Sequence, residues 1–115
     1  MIGAVMMFVQ MKKFIVTEGN SDKMVERFSK KGILQEQEGF VEQTIMVKKV
    51  RRGDEEVIVQ TKWESEEKWK QWEKSDAHIA GHKARLGKPK PEHIISSEGS
   101  VYEVKVVKTA AEKTL

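Results

Sequence analysis

EVIVQTKWESEEKWKQWEKSDAHIAGHK, residues 56–83, changes its period part-way along. Up to Trp63 the period is two. Val57, Val59, Thr61 and Trp63 face one way and Ile58, Gln60 and Lys62 the other, the alternation of a half-buried strand. Ser65 then stands where a helix N-cap belongs, and Glu66 and Glu67 follow in the first turn, where carboxylates meet the positive end of the helix dipole. Trp69 and Trp72, three apart, share a face of that helix. Ser75-Asp76 repeats the capping signal and starts another short helix through about Ala84, on which His78 and His82, four apart, can share a face.

The flanking sequence extends this pattern on both sides. A first strand is expected from Val5 to Val16, ending at Thr17-Glu18-Gly19. Asn20 or Ser21 can cap a helix that has Asp22 in its first turn, Met24, Val25 and Phe28 on one face, and Gly32 as terminator. Gly39-Phe40 opens a second strand through about Lys49, and Arg51-Arg52-Gly53-Asp54 reads as the hairpin loop before the strand quoted above. From Gly87 to Ser100, with Pro89, Pro91 and Gly99 among polar residues, most of the chain is expected to be loop. Val101 to Val107 is the expected closing strand, with Tyr102, Val104 and Val106 on one face, and Thr109 to Leu115 should fray. The order β-α-β-β-α-α-β, without repeats or a second domain, predicts a ferredoxin-like α+β fold. It is a four-stranded antiparallel sheet with helices on one face, in a single domain over 1–115 with its core about 5–108. The sheet's other face still carries apolar side chains, and pairing two sheets would cover it, so a homodimer is expected.

Bulk properties exclude several classes of function. At 115 residues the chain holds one core, and 38% hydrophobic with 34% charged residues suits a soluble protein with a charged surface. The 21 basic and 18 acidic residues are mixed along the chain, so no nucleic-acid footprint is expected from the net charge of +3, although mild attraction to an anionic ligand is compatible with it. The absence of cysteine removes disulfides, thiolate nucleophiles and thiolate-bound metals, and is compatible with a reducing compartment. The apolar opening MIGAVMMFVQM has no basic start and is about half the roughly twenty residues a membrane span needs. It reads as strand, with no membrane association and a cytoplasmic setting.

The residues with chemistry have plain readings. Tryptophans on a short amphipathic helix are usually core, and a single histidine such as His82 is usually a surface or capping residue. His-x-x-x-His can bind a divalent metal only with further ligands, for which Glu73 and Asp76 are nearby acids. Spacing alone supports no enzyme. The assembled run is more specific: Trp63, then Ser65-Glu66-Glu67, Trp69-Lys70-Gln71-Trp72, Ser75-Asp76 and Gly81-His82-Lys83. It resembles the diagnostic stretch of the IsdG/HmoA-type haem-degrading monooxygenases, within the antibiotic biosynthesis monooxygenase superfamily. Val16-Thr17-Glu18-Gly19 through Glu26-Arg27-Phe28, Glu38-Gly39-Phe40 and Tyr102-Glu103-Val104-Lys105-Val106-Val107 resemble its flanking blocks, so the likeness covers nearly the whole chain.

That resemblance implies a dimeric α+β barrel in which haem is both substrate and cofactor. Dioxygen and electrons from an external reductase are also needed, since no Gly-x-Gly-x-x-Gly motif is present. The products would be an open-chain tetrapyrrole and free iron. It implies His82 as the axial ligand of the haem iron, its other ring nitrogen taking a supporting partner, and Trp72 as the rigid ring that presses on the porphyrin and ruffles it. The family's first-strand asparagine falls at Lys12, a departure, because lysine has no acceptor and its charge is costly to bury. Gln10 lies on the same strand face and can take the role after a register slip, or Lys12 can turn to a haem propionate. Lys83 and Arg85, with Lys88 and Lys90 beyond them, are solvated charges by default and propionate partners if haem binds. Gly87 and Gly99 would let the loop between them move as a lid. Two other readings remain: a cofactor-independent monooxygenase of the same superfamily acting on a quinol or polyketide-like aromatic, with His82 and Lys12 as acid–base or orienting groups, and a non-catalytic haem-binding module.

Overall fold

The strands observed are β1 (Phe8–Val16), β2 (Phe40–Val47), β3 (Glu55–Trp63) and β4 (Ile94–Glu103). The helices are α1 (Ser21–Ser29), α2 (Glu66–Glu73) and α3 (Asp76–Arg85). They come from a computed structural model that describes residues 7–111, so the expected strand residues Val5 and Met6 lie outside the described residues. The sheet order is β2-β3-β1-β4 with every neighbouring pair antiparallel, the ferredoxin-like arrangement expected from the sequence.

Register assigns the two faces, because residues directly opposite on antiparallel strands point the same way. Toward the helices run the rows Val47–Val57–Phe14–Ser97, Ile45–Val59–Lys12–Gly99, Gln43–Thr61–Gln10–Val101 and Phe40–Trp63–Phe8–Glu103. Phe14, Val16, Met24, Val57, Val59 and Ile94 form the closed core, with Phe28 and Ile45 against it. Each fully buried aliphatic there contributes about 1.5–3 kcal/mol. The opposite face carries Val9, Met11, Ile15, Met46, Ile58 and Tyr102 around the ion pairs Lys13–Glu98 (3.4 Å), Lys13–Glu56 (3.9 Å) and Lys62–Glu42 (3.0 Å).

The helix starts differ in how they are capped. Ser65 Oγ accepts from the Lys68 N–H and Ser75 Oγ from the His78 N–H, each at 3.2 Å, as expected. Asn20 holds the N-cap position of α1 but does not cap it: its amide donates to Thr17 Oγ1 at 2.6 Å, and the Ser21 N–H finds Glu55 Oε1 on β3 instead. Nor does Gly32 end α1, which stops at Ser29; Gly32 precedes a 3₁₀ turn, Ile33–Glu36, that its sequence did not announce. Gly39 has a φ of +85°, and a Cβ there would overlap the Lys68 side chain. With the Glu64 N–H donating to Gly39 O at 2.8 Å, this glycine lets the start of β2 seat directly against α2.

The last strand departs most from expectation. Ile94 to Ser100, read as loop, is paired along β1, from Val16 opposite Ile94 to Phe8 opposite Glu103, with a bulge near Ile15 and Val16. Val104 adds one hydrogen bond, to Met7 O, and Val106 and Val107 lie beyond the strand at 72% and 60% exposure. β4 is an edge strand in which only Ile94 is buried, so backbone pairing holds it and its side chains need not alternate.

Candidate active site

Ser75 starts α3 so that His78 and His82 stand on one side of it, one turn apart. Rings then follow one another from the sheet outward: Phe40 to Trp63 at 5.8 Å between centroids, Trp63 to Trp72 at 6.4 Å, Trp72 to His78 at 5.1 Å and His78 to His82 at 4.4 Å. Trp63 is fully buried at the end of β3, Trp72 and His78 are half-buried, and His82 is exposed. Edge and face contacts of this kind favour one relative orientation and so aim the last ring.

A second contact aims His82 more closely. His78 Nε2 lies 2.7 Å from Glu73 Oε2 and 2.9 Å from His82 Nε2. The Glu73 oxygen is shut off from solvent without a well-directed hydrogen bond, although His78 is that close. His78 Nε2 is thus in short contact with the carboxylate and with the second imidazole at once. Burial first, then the neighbouring His82, Lys12 and Arg85, hold the His78 pKa below the ordinary histidine value despite Glu73, which pulls the other way.

Beside His82 a cavity of about 420 Å³ opens between α3, α1 and the β1–β4 edge. Lys12, Arg27, His82 and Arg85 line it, with Phe14 and Leu86 as apolar wall and Ser97, Glu98 and Gly99 from β4. Lys12 sits in a row with Ile45, Val59 and Gly99, so its stem is packed and its ammonium is half-buried. Burial, then the Arg85 guanidinium, hold its pKa below the usual lysine range; Arg27 acts in the same direction and Glu73 opposes them. Three cations around one hollow are a place for an anion. A second hollow, about 460 Å³ among Thr17, Asn20, Lys23, Glu92 and His93, is polar and holds none of the candidate site residues expected from the sequence.

The sequence profile of the family described as "Antibiotic biosynthesis monooxygenase" matches residues 7–84, which span β1 to α3 and include both histidines of the ring series. This chain belongs to the antibiotic biosynthesis monooxygenase family. Within that family it is of the IsdG/HmoA type. Its relative in Bacillus subtilis (strain 168), "Heme-degrading monooxygenase HmoA", is 62% identical over 102 residues, 89% of this chain and 94% of the relative. A crystal structure from Bacillus cereus, also named as an antibiotic biosynthesis monooxygenase, shares 50% identity, covers 91% of this chain and 99% of its own, and superposes with a TM-score of 0.81. The heme-degrader MhuD of Mycobacterium tuberculosis, solved with two hemes bound in its active site, superposes at 0.64 over 89% of this chain and 99% of its own. At 22% identity that is a likeness of fold.

In this monooxygenase, His82, Lys12 and Arg85, each singled out from the sequence, line one cavity, and Gln10, Trp72 and Lys83 do not. Trp72 is held between Trp63 and His78, one ring behind His82. Gln10 lies one row along from Lys12, beside Thr61. Gly99, expected in a mobile loop, is part of β4. Sequence reading missed Arg27, which α1 carries to the cavity; helical spacing placed it on α1 but gave no hint of what it faces.

Proposed function

We propose that this chain binds haem through His82 and degrades it oxidatively, releasing iron. The observation that carries this reading is the convergence of an exposed imidazole, an apolar wall and three cations on one cavity, in a chain so similar to HmoA. Haem has matching parts: an iron that takes a nitrogen lone pair, a flat apolar ring and two carboxylates. When bound it supplies both the iron that engages dioxygen and the ring that is opened; electrons come from an external reductase. The chain's own residues bind and orient. His82 offers a ring nitrogen at the cavity. Phe14 and Leu86 exclude water from one wall, and Lys12 and Arg85 meet carboxylates, where charge-assisted hydrogen bonds are stronger than neutral ones. In this role Lys12 departs from the family's asparagine without leaving an uncompensated charge. Gln10 and Lys83 stand outside this arrangement, and Trp72 reaches the ring only if His78 swings off its face.

The same reading takes residues 1–115 as one domain, acting as a homodimer closed over the open sheet face, in the cytoplasm. Apolar side chains on that face support the dimer, as do Tyr102, Val106 and Val107, which stay exposed on the single chain. Titrating purified protein with haemin and then adding ascorbate or a reductase tests the proposal. A Soret shift followed by bleaching and iron release is expected, and His82→Ala should lose the shifted band. Binding without bleaching would make the chain a haem-binding module, and an unaltered spectrum would remove haem from the account.

A further inference from the structure

The contact between the two histidines defines more than proximity. His78 does not line the cavity, whereas His82 does, so His78 can act on a ligand there only through His82. Its Nε2 faces two partners at once, Glu73 Oε2 at 2.7 Å and His82 Nε2 at 2.9 Å. If the proton were on His82 Nε2 instead, His78 Nε2 would be a bare nitrogen 2.7 Å from the carboxylate oxygen, two acceptors in contact. A proton on His78 Nε2 gives His82 Nε2 a donor and removes that clash, although Glu73 Oε2 gains no well-directed hydrogen bond from it, and this holds whether or not His78 Nδ1 carries a proton as well. We infer that Glu73 and His78 are positioning residues for His82: they keep its Nε2 free of a proton, place its own proton on Nδ1, and hold the ring until an electron-pair acceptor in the cavity takes that nitrogen.

The inference rests on the haem reading for the identity of the acceptor, but not for the state of His82. Trp72 completes the arrangement by packing edge-to-face against His78 at 5.1 Å, which limits how that ring can turn. An acceptor therefore meets a nitrogen that needs no deprotonation, only release from the His78 N–H. Partners of this kind set ligand tautomer and orientation, and their loss typically costs about 10–100-fold in affinity for the metal centre.

Imidazole ¹⁵N spectra of the ligand-free protein test the assignment directly. His82 is expected as the Nδ1–H tautomer, and His78→Phe, which keeps a ring against Trp72 but removes the donor, should shift it toward Nε2–H. In haemin titrations, read as binding rather than turnover, H78F should bind roughly 10-fold more weakly. His78→Gln, whose amide can donate, should recover part of that loss, and E73Q should weaken binding less than H78F. Finding His82 as Nε2–H in the free wild type would overturn the inference, and so would H78F and H78Q binding haemin as tightly as wild type. If wild type binds no haemin, the haem reading fails while the spectra still decide the state of His82.

Discussion

The helix side of the sheet is covered in two ways. Under α1 it is sealed: Met24 is fully buried against Val16, Val57 and Val59, and Phe28 lies 5.7 Å from the Phe14 ring. Under α2 and α3 no helix residue is fully buried. Indole and imidazole rings stand on one another there instead, and the indole nitrogens of Trp63 and Trp69 are buried without partners. A dry aliphatic core supplies stability per residue that a stack of half-exposed rings does not. The chain thus seals its sheet under α1 and leaves α3 to present His82 and Arg85 to the cavity.

Five substitutions test that contrast. Met24→Ala should cost about 2–5 kcal/mol in urea denaturation, the usual range for emptying a closed core site. Gly39→Ala should cost about 1–3 kcal/mol, since it combines a left-handed backbone with overlap on Lys68, and its effect should be read as a loosened junction of β2 and α2. Ser75→Ala removes the cap of α3 and should cost about 1 kcal/mol, with fraying visible by amide exchange at His78 and Ile79.

Lys12→Met should act in the other direction and stabilise the protein at neutral pH, because the wild-type ammonium is half-buried beside Arg85 and Arg27. The sign follows from proton linkage. Folding lowers this pKa below 10.5, so between the two values the unfolded chain holds the extra proton and wild-type stability rises with pH. The advantage of K12M is therefore full below the lowered pKa and should vanish as pH approaches 10.5, a trend that melting curves across that window would show or refute. Smallest of all, Ile79→Ala on exposed α3 should stay within about 0.5 kcal/mol of wild type. If I79A and M24A cost the same, the two halves are not covered differently and the comparison collapses.

How much of this the sequence disclosed depends on what holds each part in place. β3 and the two serine caps were legible because their signals are local: alternation for the strand, and a hydroxyl ahead of acids for the helices. β4 was not, since Ser96 to Ser100 form a strand through backbone bonds to β1, which leave no mark on side-chain pattern. Of the site, His82, Lys12 and Arg85 came from a family likeness, and the structure shows them lining one cavity. Arg27 at the cavity and the contact of Glu73 with His78 stayed hidden because each depends on contacts between elements, and no spacing within one helix encodes those.

Gly99 has a consequence of its own. It stands opposite Lys12 on the edge strand, and a Cβ built there would meet only the Met11 carbonyl oxygen, 3.9 Å away. Nothing in the backbone reserves this position for glycine, and a β-branched side chain suits an edge strand at least as well. Position 99 is therefore an adjustable aperture: each carbon added there narrows the slot beside Lys12 and leaves the strand seated. The width of this cavity can thus be changed at a single position where only the backbone helps to hold the fold.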